Sequence, residues 1–463
     1  MKTLWRNFLL LAVAVTVTAA AGQGMPTVVA AAKESDLQAL RTRLDEGADV
    51  NEVYADGTSA LHWAAYHDSL DAADLLLDAG ANVNAITDLG VTPLWLAAQN
   101  GSAVMVETLL ESGADPNETL VSGETVVMTA ARTGNARVVR QLLAAGANPD
   151  GSVTRGQTAL MWAAGQGHAD VVEALLDHGA DFEASTETRR QYVKSEKEQD
   201  SHPAYKHWVE EGGNSALLFA ARAGDLDSAR LLVEAGSDVN AVSAFGTSPV
   251  IMAVHSGNVA LLDFLLNSGA DPDSAASGHT ALHDAILRGN PKAVNVLLVH
   301  GANPDAVLER ATPARRQSDD YHFHDALAGA TPLWLAARFS EPVIMQALVD
   351  HGADISFVKK VNYPALRDLE PVVVDEGEIS ILMAAVRMGN RRLRNSWGSA
   401  ERRAGRSGED MESLVHAAVG IAVAGGVELD LENAAGQTAL DAATALGYES
   451  VAGFLIASGA RSD

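Results

Sequence analysis

The hydrophobic and polar positions of this chain repeat about every 33 residues. Each repeat has two short apolar segments, one with paired small residues such as Ala97 and Ala98, and one with a run such as Leu75-Leu76-Leu77. This spacing predicts two amphipathic helices per repeat. A glycine follows each second segment, at a position that usually requires a positive φ. These glycines are Gly47, Gly80, Gly113, Gly146, Gly179, Gly236, Gly269, Gly301, Gly352, Gly426 and Gly459.

Polar residues beside the apolar segments predict where the helices begin and how they are connected. A Ser or Thr precedes the first segments and can act as an N-cap, because its oxygen accepts a free backbone N–H. Pro93, Pro249 and Pro332 follow at the first helical position, where a missing N–H costs nothing. After each repeat glycine, G-A-[DN]-x-[ND] and a polar stretch predict a hairpin-like turn into the next repeat.

The residues around the glycines form one motif. Residues 59–84 read S-A-L-H-W-A-A-Y-H-D-S-L-D-A-A-D-L-L-L-D-A-G-A-N-V-N, and residues 92–117 read T-P-L-W-L-A-A-Q-N-G-S-A-V-M-V-E-T-L-L-E-S-G-A-D-P-N. This motif resembles the ankyrin repeat, and the match extends over nearly all of the chain beyond its N-terminal segment. The resemblance implies an all-α fold, a solenoid of about eleven helix-turn-helix units with hairpin-like loops.

Four intervals between the repeat glycines exceed the period and predict insertions. We expect inserted loops at 184–213, 306–329 and 357–377, and a basic insertion at 391–411 between the helices of the tenth repeat. Because no single repeat buries its own hydrophobic face, we expect one elongated domain. The repeats then occupy 28–183 (repeats 1–5), 214–305 (repeats 6–8), 330–356 (repeat 9), 378–430 (repeat 10) and 431–463 (repeat 11, the C-terminal cap).

The first insertion mixes both charges with Tyr192, Tyr205 and Trp208. Tyr and Trp are favoured anchors at protein interfaces, which makes this segment a candidate recognition loop. A solvated loop whose aromatic side chains pack back on the array is the alternative. No spacing inside the segment decides between the two.

The second insertion contains a possible set of metal ligands. In an extended segment His322 and His324 lie on one side, and Asp320 adds a carboxylate, which suits zinc. The longer-range spacing of an established metal motif is absent, so we expect an ordinary polar loop and no bound metal or other cofactor.

The fourth insertion is basic, with Arg391, Arg392, Arg394, Arg402, Arg403 and Arg406 against Glu401 alone. This basic segment is expected to dock on the acidic surface of the same chain or to contact an acidic partner. Nucleic acid is the weaker alternative.

The N-terminal residues 1–21 have the pattern of a signal peptide. Lys2 and Arg6 precede an apolar stretch from Phe8 to Val17, and Ala19, Ala20 and Ala21 provide a cleavage site. The stretch is shorter than the roughly 20 residues of a membrane-spanning helix. We therefore expect cleavage near Ala21, no stable membrane insertion afterwards, and a periplasmic or extracellular protein; an uncleaved anchor is the alternative.

Composition narrows the classes of partner. The chain has 33 Lys and Arg against 60 Asp and Glu, a net charge of −27, and no cysteine. A surface this acidic repels phosphate backbones and anionic lipids, so nucleic acid is not expected as a partner. The absence of cysteine excludes a disulfide framework and agrees with export.

Enzymatic motifs are absent. The sequence has no G-x-S-x-G, no G-x-x-x-x-G-K-[ST] and no H-E-x-x-H. His62 and His283 occupy the L-H position of the repeat, where the family uses the side chain to bond neighbouring backbone. We expect these histidines to be structural, and Trp63, Trp95, Trp162 and Trp334 in the first helices to pack between repeats.

In ankyrin proteins the hairpin tips and the exposed positions of the first helices most often bind other proteins. The resemblance therefore implies a non-enzymatic protein-binding scaffold, expected here as an exported monomer. The alternatives are a metal-dependent or enzymatic site built from the insertions and a purely structural envelope protein. The candidate binding residues are Tyr66, His67, Gln99, Asn100, Arg132, Thr133, Gln166, Arg222, His255, Arg288, Arg338 and Phe339 on the first helices, with Tyr205 and Trp208 in the first insertion.

Overall fold

The computed structural model describes residues 27–153, 155–194, 206–310, 327–361, 377–388 and 408–461. These residues contain 22 helices in eleven consecutive pairs, which confirms the predicted helical repeat fold. The first helices of the pairs are α1 (Val28–Lys33), α3 (Ala60–Tyr66), α5 (Pro93–Asn100), α7 (Val126–Thr133), α9 (Ala159–Gln166), α11 (Ala216–Ala223), α13 (Pro249–Ser256), α15 (Ala281–Leu287), α17 (Pro332–Arg338), α19 (Ile381–Ala385) and α21 (Ala439–Ala445). The second helices are α2 (Leu37–Asp45), α4 (Leu70–Asp78), α6 (Ala103–Glu111), α8 (Ala136–Ala144), α10 (Ala169–Asp177), α12 (Leu226–Ala235), α14 (Val259–Asn267), α16 (Pro291–Val299), α18 (Pro342–Asp350), α20 (Gly408–Ala424) and α22 (Glu449–Ala457).

The first helices begin where the sequence predicts. Each has a Ser or Thr at its N-cap; in α5, for example, the Thr92 hydroxyl accepts the Trp95 backbone N–H at 3.1 Å. Pro93, Pro249 and Pro332 each start a helix. The helix starts are therefore determined by residues within one turn.

The repeat glycines all have positive φ, between +79° and +110°. At Gly80 a Cβ atom would have no heavy atom within 4 Å, so space does not require glycine there. The left-handed backbone after the second helix does require it, because a Cβ is strained in that conformation.

The chain divides into two compact units: an N-terminal block, Met1–Asp115, and a C-terminal block, Pro116–Asp463. In the N-terminal block α1, α3 and α5 pack side by side, and α2 contacts α4. In the C-terminal block the first helices from α7 to α21 form one row and the second helices from α8 to α22 form another. The core of each block lies between its helices, where small residues such as Ala163 and Ala164 are fully buried.

Side-chain amides and carboxylates link consecutive hairpins. In the C-terminal block the Asn240 oxygen accepts the Asp271 N–H at 2.7 Å, while the Asn240 amide donates to the Gly269 carbonyl at 3.2 Å. Asp150 accepts the Asp181 N–H in the same way at 2.8 Å. The G-A-[DN]-x-[ND] motif thus connects repeats about 30 residues apart.

The described residues form six strands in three two-stranded antiparallel sheets, all in the hairpins, where the sequence predicts only turns and loops. Strand β1 (Ser152–Val153) pairs with β2 (Gln157–Thr158), β3 (Arg189–Lys194) with β4 (Lys206–Glu211), and β5 (Val358–Val361) with β6 (Gly377–Ser380). The first insertion, expected as a loop, therefore contains a β-hairpin. The fourth insertion is described from residue 408 onward, where the 17-residue helix α20 begins.

Candidate functional site

Several candidate residues at the ends of the first helices bind the preceding repeat. The exposed Asn100 donates its amide to the Ala65 and Tyr66 carbonyls, both at 3.0 Å, and His67 Nε2 donates to the Lys33 carbonyl at 3.0 Å. The last carbonyls of a helix have no partner inside that helix, so these side chains cap the neighbouring helix. Because they have this structural role, they are weaker candidates for partner binding.

Two other candidates, His255 and Arg288, meet at a buried carboxylate. Asp284 on α15 is 2% exposed, contacts His255 Nε2 and lies 3.8 Å from Arg288 Nε. Burial acts to raise the pKa of Asp284, but His255, His279 and Arg288 together lower it below its ordinary value. Arg288 also donates to the His255 carbonyl at 3.4 Å. The cluster therefore ties α13 to α15.

Arg338 and Phe339 are a correction to the predicted binding face. Both are expected at exposed positions, but they are 4% and 5% exposed. The repeat that carries them therefore offers neither side chain to a partner at this end of its first helix. The remaining candidates are exposed (Tyr66, Thr133, Gln166 and Arg222) or half-buried (Gln99 and Arg132).

An exposed aromatic candidate lies on the hairpin of β3 and β4, which we call the arm (described residues 186–194 and 206–213). Trp208 is 61% exposed and lies directly opposite Tyr192, which is 52% exposed. The two rings are 5.0 Å apart between centroids, and the Arg190 guanidinium lies 5.7 Å above the Trp208 ring. Tyr, Trp and Arg are the residues most enriched at interface hot spots.

The arm is joined to the array on both sides of its base. The Glu187 N–H donates to the Arg155 carbonyl at 2.9 Å, and the Ala244 N–H donates to the Gly212 carbonyl at 2.9 Å. Gly212 has φ +102°, and a Cβ there would collide with the Glu187 carbonyl. These contacts bond the base of the arm to the preceding and the following hairpins.

Sequence reasoning missed the register of the arm and two buried charged side chains. Arg190 and Tyr192 reach Trp208 only through cross-strand pairing. The available sequence signal is the residue type, because Tyr, Trp and Val are enriched in strands. Asp284 and Lys359 had no sequence signal. Burial lowers the pKa of Lys359 to about 8.

The possible zinc ligands Asp320, His322 and His324, and also Tyr205, lie outside the described residues. Within the described ranges no three His, Asp or Glu side chains are grouped as metal ligands. None of the helices in those ranges combines the length and apolar character needed to cross a membrane. The predicted signal peptide, residues 1–21, also lies outside them.

Family comparison matches most of this array. The family profile described as "Ankyrin repeats (3 copies)" matches residues 28–120, 113–186 and 217–307, and that described as "Ankyrin repeat" matches 328–360. The chain belongs to the ankyrin repeat family. The repeat motif, the helix pairs and the hairpins are features of this family. The arm from residue 187 to residue 213 falls in the gap between two matched segments.

Proteins similar to this chain include mammalian and viral ones. This ankyrin repeat chain is 38% identical over 97 residues to cyclin-dependent kinase 4 inhibitor B of Rattus norvegicus, covering 20% of this chain and 73% of that protein. It is 31% identical over 162 residues to ankyrin repeat protein FPV031 of fowlpox virus, covering 30% of this chain and 48% of that protein.

Another fowlpox virus ankyrin repeat protein, FPV014, is 31% identical over 129 residues, covering 28% of this chain and 26% of that protein. The chain thus spans between about a quarter and a half of the length of these two viral relatives. The crystal structure of the human ASB11 ankyrin repeat domain is 26% identical and covers 60% of this chain and 98% of that chain, with a TM-score of 0.40.

Proposed function

We propose that this protein is an exported, non-enzymatic scaffold that binds a protein partner through the arm and the exposed ends of its first helices. Ankyrin repeats generally mediate protein–protein interactions, and proteins built from them are generally non-enzymatic. The name of the rat relative, an inhibitor of a kinase, fits that general role.

The exposed pair Tyr192 and Trp208 is the observation that carries the proposal. Aromatic side chains this exposed offer a large apolar area that a partner can cover, and Arg190 beside them adds a planar cationic group. By contrast, Asn100 and His67 already hydrogen-bond within the array. The arm is therefore the primary contact in this proposal.

Site-specific cross-linking tests it. A benzoylphenylalanine in place of Tyr192 should give a discrete cross-linked protein species in the producing cells, and this species should weaken when Trp208→Ala is added. The matched control places the same photo-reactive group at Val343 on α18, which is 66% exposed but lies on a second helix. Equal cross-linking from both positions, or none from the arm, would contradict the proposal.

The export part of the proposal rests on Lys2, Arg6 and the apolar stretch that follows them. Mass spectrometry of the protein isolated from the exported fraction is expected to place the mature N-terminus near residue 22. Full-length protein confined to the cytoplasm would contradict export and leave the proposed binding role unaffected.

A further inference from the structure

Strand β3 of the arm has a free edge. The described residues place β4 on one side of β3 and no strand on the other. In a strand every second residue directs its backbone N–H and C=O to the same edge, so the six residues of β3 offer an unpaired row about 20 Å long. Such an edge is a template for another strand.

The charge of β3 selects what can pair with it. Its sequence, R-R-Q-Y-V-K, has three basic residues and no acidic one, in a chain whose net charge is −27. Opposite charges across a strand pair stabilise it, whereas like charges directly opposite destabilise it. The edge therefore favours an acidic strand.

Strand β4 shows this complement inside the molecule. Glu211 and Glu210 lie opposite Arg189 and Arg190, and Glu211 Oε2 accepts from Arg189 Nη2 at 3.1 Å. Further along the same pair of strands Trp208 packs on Tyr192. The order of residues that pairs with β3 is thus an aromatic residue followed, two and three positions later, by acidic ones.

Two-stranded hairpins are marginal in water, and a third strand or a covered apolar face stabilises them. The arm has both strands in place and an aromatic face that remains about half exposed. A third strand would therefore complete backbone hydrogen bonds and cover apolar area in one step.

We propose that β3 binds an extended acidic peptide segment of the partner protein as a third, antiparallel strand of the arm. This inference rests on the proposed function and names the chemistry of the partner. A second copy of β3 is disfavoured, since that pairing would place Arg189 and Arg190 beside other basic side chains. Single-stranded nucleic acid, which also meets basic and aromatic residues, is the competing class.

The test uses the full chain and a synthetic peptide of about ten residues. The peptide carries the residues of β4 in their order along the chain, with Phe in place of Trp. Calorimetry or fluorescence anisotropy should detect binding of this acidic peptide and no binding of a peptide with Lys in place of each Glu. Two N-methylated versions of the peptide are compared, one methylated at the odd-numbered residues and one at the even-numbered residues. One version should lose binding, because its methyl groups replace the N–H groups that face the edge of β3, and the other should keep it.

Charge reversal separates recognition from folding. The double variant Arg189→Glu, Arg190→Glu should weaken binding of the acidic peptide by about tenfold or more. The quadruple variant that adds Glu210→Arg and Glu211→Arg restores opposite charges inside the arm, and it should now prefer the Lys peptide. Arg140→Glu on α8, which removes a partner of Glu173 outside the arm, is the matched control and should bind like the wild type.

Three results would overturn strand addition: equal binding of the acidic and basic peptides, equal binding of the two N-methylated versions, or tighter binding of a single-stranded oligonucleotide than of the acidic peptide. If position 192 cross-links to a protein partner and any of these three results is also obtained, the scaffold role is supported and only the strand mechanism is rejected. Failure of the cross-linking with successful peptide binding would reject the proposed function instead.

Discussion

At the scale of the residue, His62 and Trp334 perform the same task with different side chains at one register position of the first helices. His62 Nε2 donates to the Val91 carbonyl at 2.9 Å, and its Nδ1 accepts the Ser59 backbone N–H at 3.1 Å. Trp334 occupies the equivalent position, and its indole N–H donates to the Ile379 carbonyl at 3.0 Å. Each reaches the residue just before the next N-cap, so the predicted structural role of His62 and packing role of Trp334 are confirmed.

His283 at the same position predicts a loss of stability in acid. Burial, followed by the neighbouring His279, lowers the pKa of His283 to about 3, so the folded state holds the neutral ring. An unfolded histidine takes up a proton below pH 6.5, and this contribution to stability is therefore lost progressively as pH falls from about 6.5 to about 3. His283→Met should reduce the fall in unfolding free energy between pH 6.5 and pH 4 by roughly 3 kcal/mol.

Urea unfolding at a series of pH values measures this effect. Met is the natural choice because Met128, Met161 and Met383 occupy the same register position in other repeats. His351→Met changes an exposed histidine at the end of α18 and should keep the wild-type pH profile. Parallel profiles for wild type and His283→Met would show that His283 does not limit stability in acid.

Lys359 predicts a dependence on pH of the same sign, at alkaline pH. The side chain is 3% exposed with its ammonium 5.5 Å from the Trp334 ring, and burial lowers its pKa to about 8. The charged form therefore costs stability, fully below pH 8 and progressively less as pH rises through 10.5. Lys359→Met should raise the unfolding free energy at pH 7 by about 2 kcal/mol, since the lost cation–π contact offsets part of the gain.

Thermal unfolding of Lys359→Met at pH 7 and above pH 10 tests the sign. The gain should be present at pH 7 and nearly absent at the higher pH. Lys292→Met on α16 is the control, because Lys292 is an exposed lysine in the first turn of a helix, and it should leave Tm nearly unchanged. A lower Tm for Lys359→Met at pH 7 would mean that the lysine stabilises the fold.

At the scale of the element, each helix is specified locally and the hairpins are joined over longer separations. Caps such as Thr92 act within three residues, whereas Asn240 bonds residues about 30 positions away in the chain. The hairpins therefore depend on the neighbouring repeat for their position, and the helices depend on it mainly for burial.

Substitution of Asn240 is expected to have a graded effect. Asn240→Leu removes both the acceptor for the Asp271 N–H and the donor to the Gly269 carbonyl, and should cost about 1–2 kcal/mol of unfolding free energy. Asn240→Asp keeps the acceptor, as Asp150 does naturally, and should cost less than half as much.

Urea denaturation compares the two variants. Asn267→Ala is the control, because the Asn267 amide bonds only the Asp263 carbonyl of its own helix among its described contacts. Equal costs for Asn240→Leu and Asn240→Asp would assign the stabilisation to the amide donor rather than to the acceptor.

At the scale of the whole molecule, the charge of −27 opposes compactness through self-repulsion. The groove between α10 and α12 is an example, because Asp170, Glu173, Asp227 and Glu234 line it together with Arg230. Salt screens such repulsion, with a Debye length of about 10 Å at 0.1 M and about 3 Å at 1 M.

Sodium chloride should therefore raise Tm by a few degrees between low ionic strength and about 0.5 M. Glu234→Lys places a positive charge in this acidic groove, and it should raise Tm at low salt while reducing the increment from salt. Differential scanning calorimetry measures both. A Tm that falls with salt in the wild type would indicate that attractive pairs such as Arg140 with Glu173 dominate.

The sequence by itself determined the helix pairs, the N-caps and the left-handed glycines. These features depend on residues within one helical turn or on the repeat period, so they can be predicted from the sequence without a structure. The packing roles of Ala163, Ala164 and Trp334 follow from the same pattern. Ankyrin membership comes from this local pattern as well.

Only the tertiary structure decided which side chains remain available. Asn100 bonds carbonyls 34 and 35 residues away, Arg338 and Phe339 are buried, and Tyr192 meets Trp208 through a strand register. Local sequence carries no information on partners so far along the chain, because burial and pairing depend on how neighbouring repeats and insertions pack. The array was therefore predictable, and the exposed face of the arm was not.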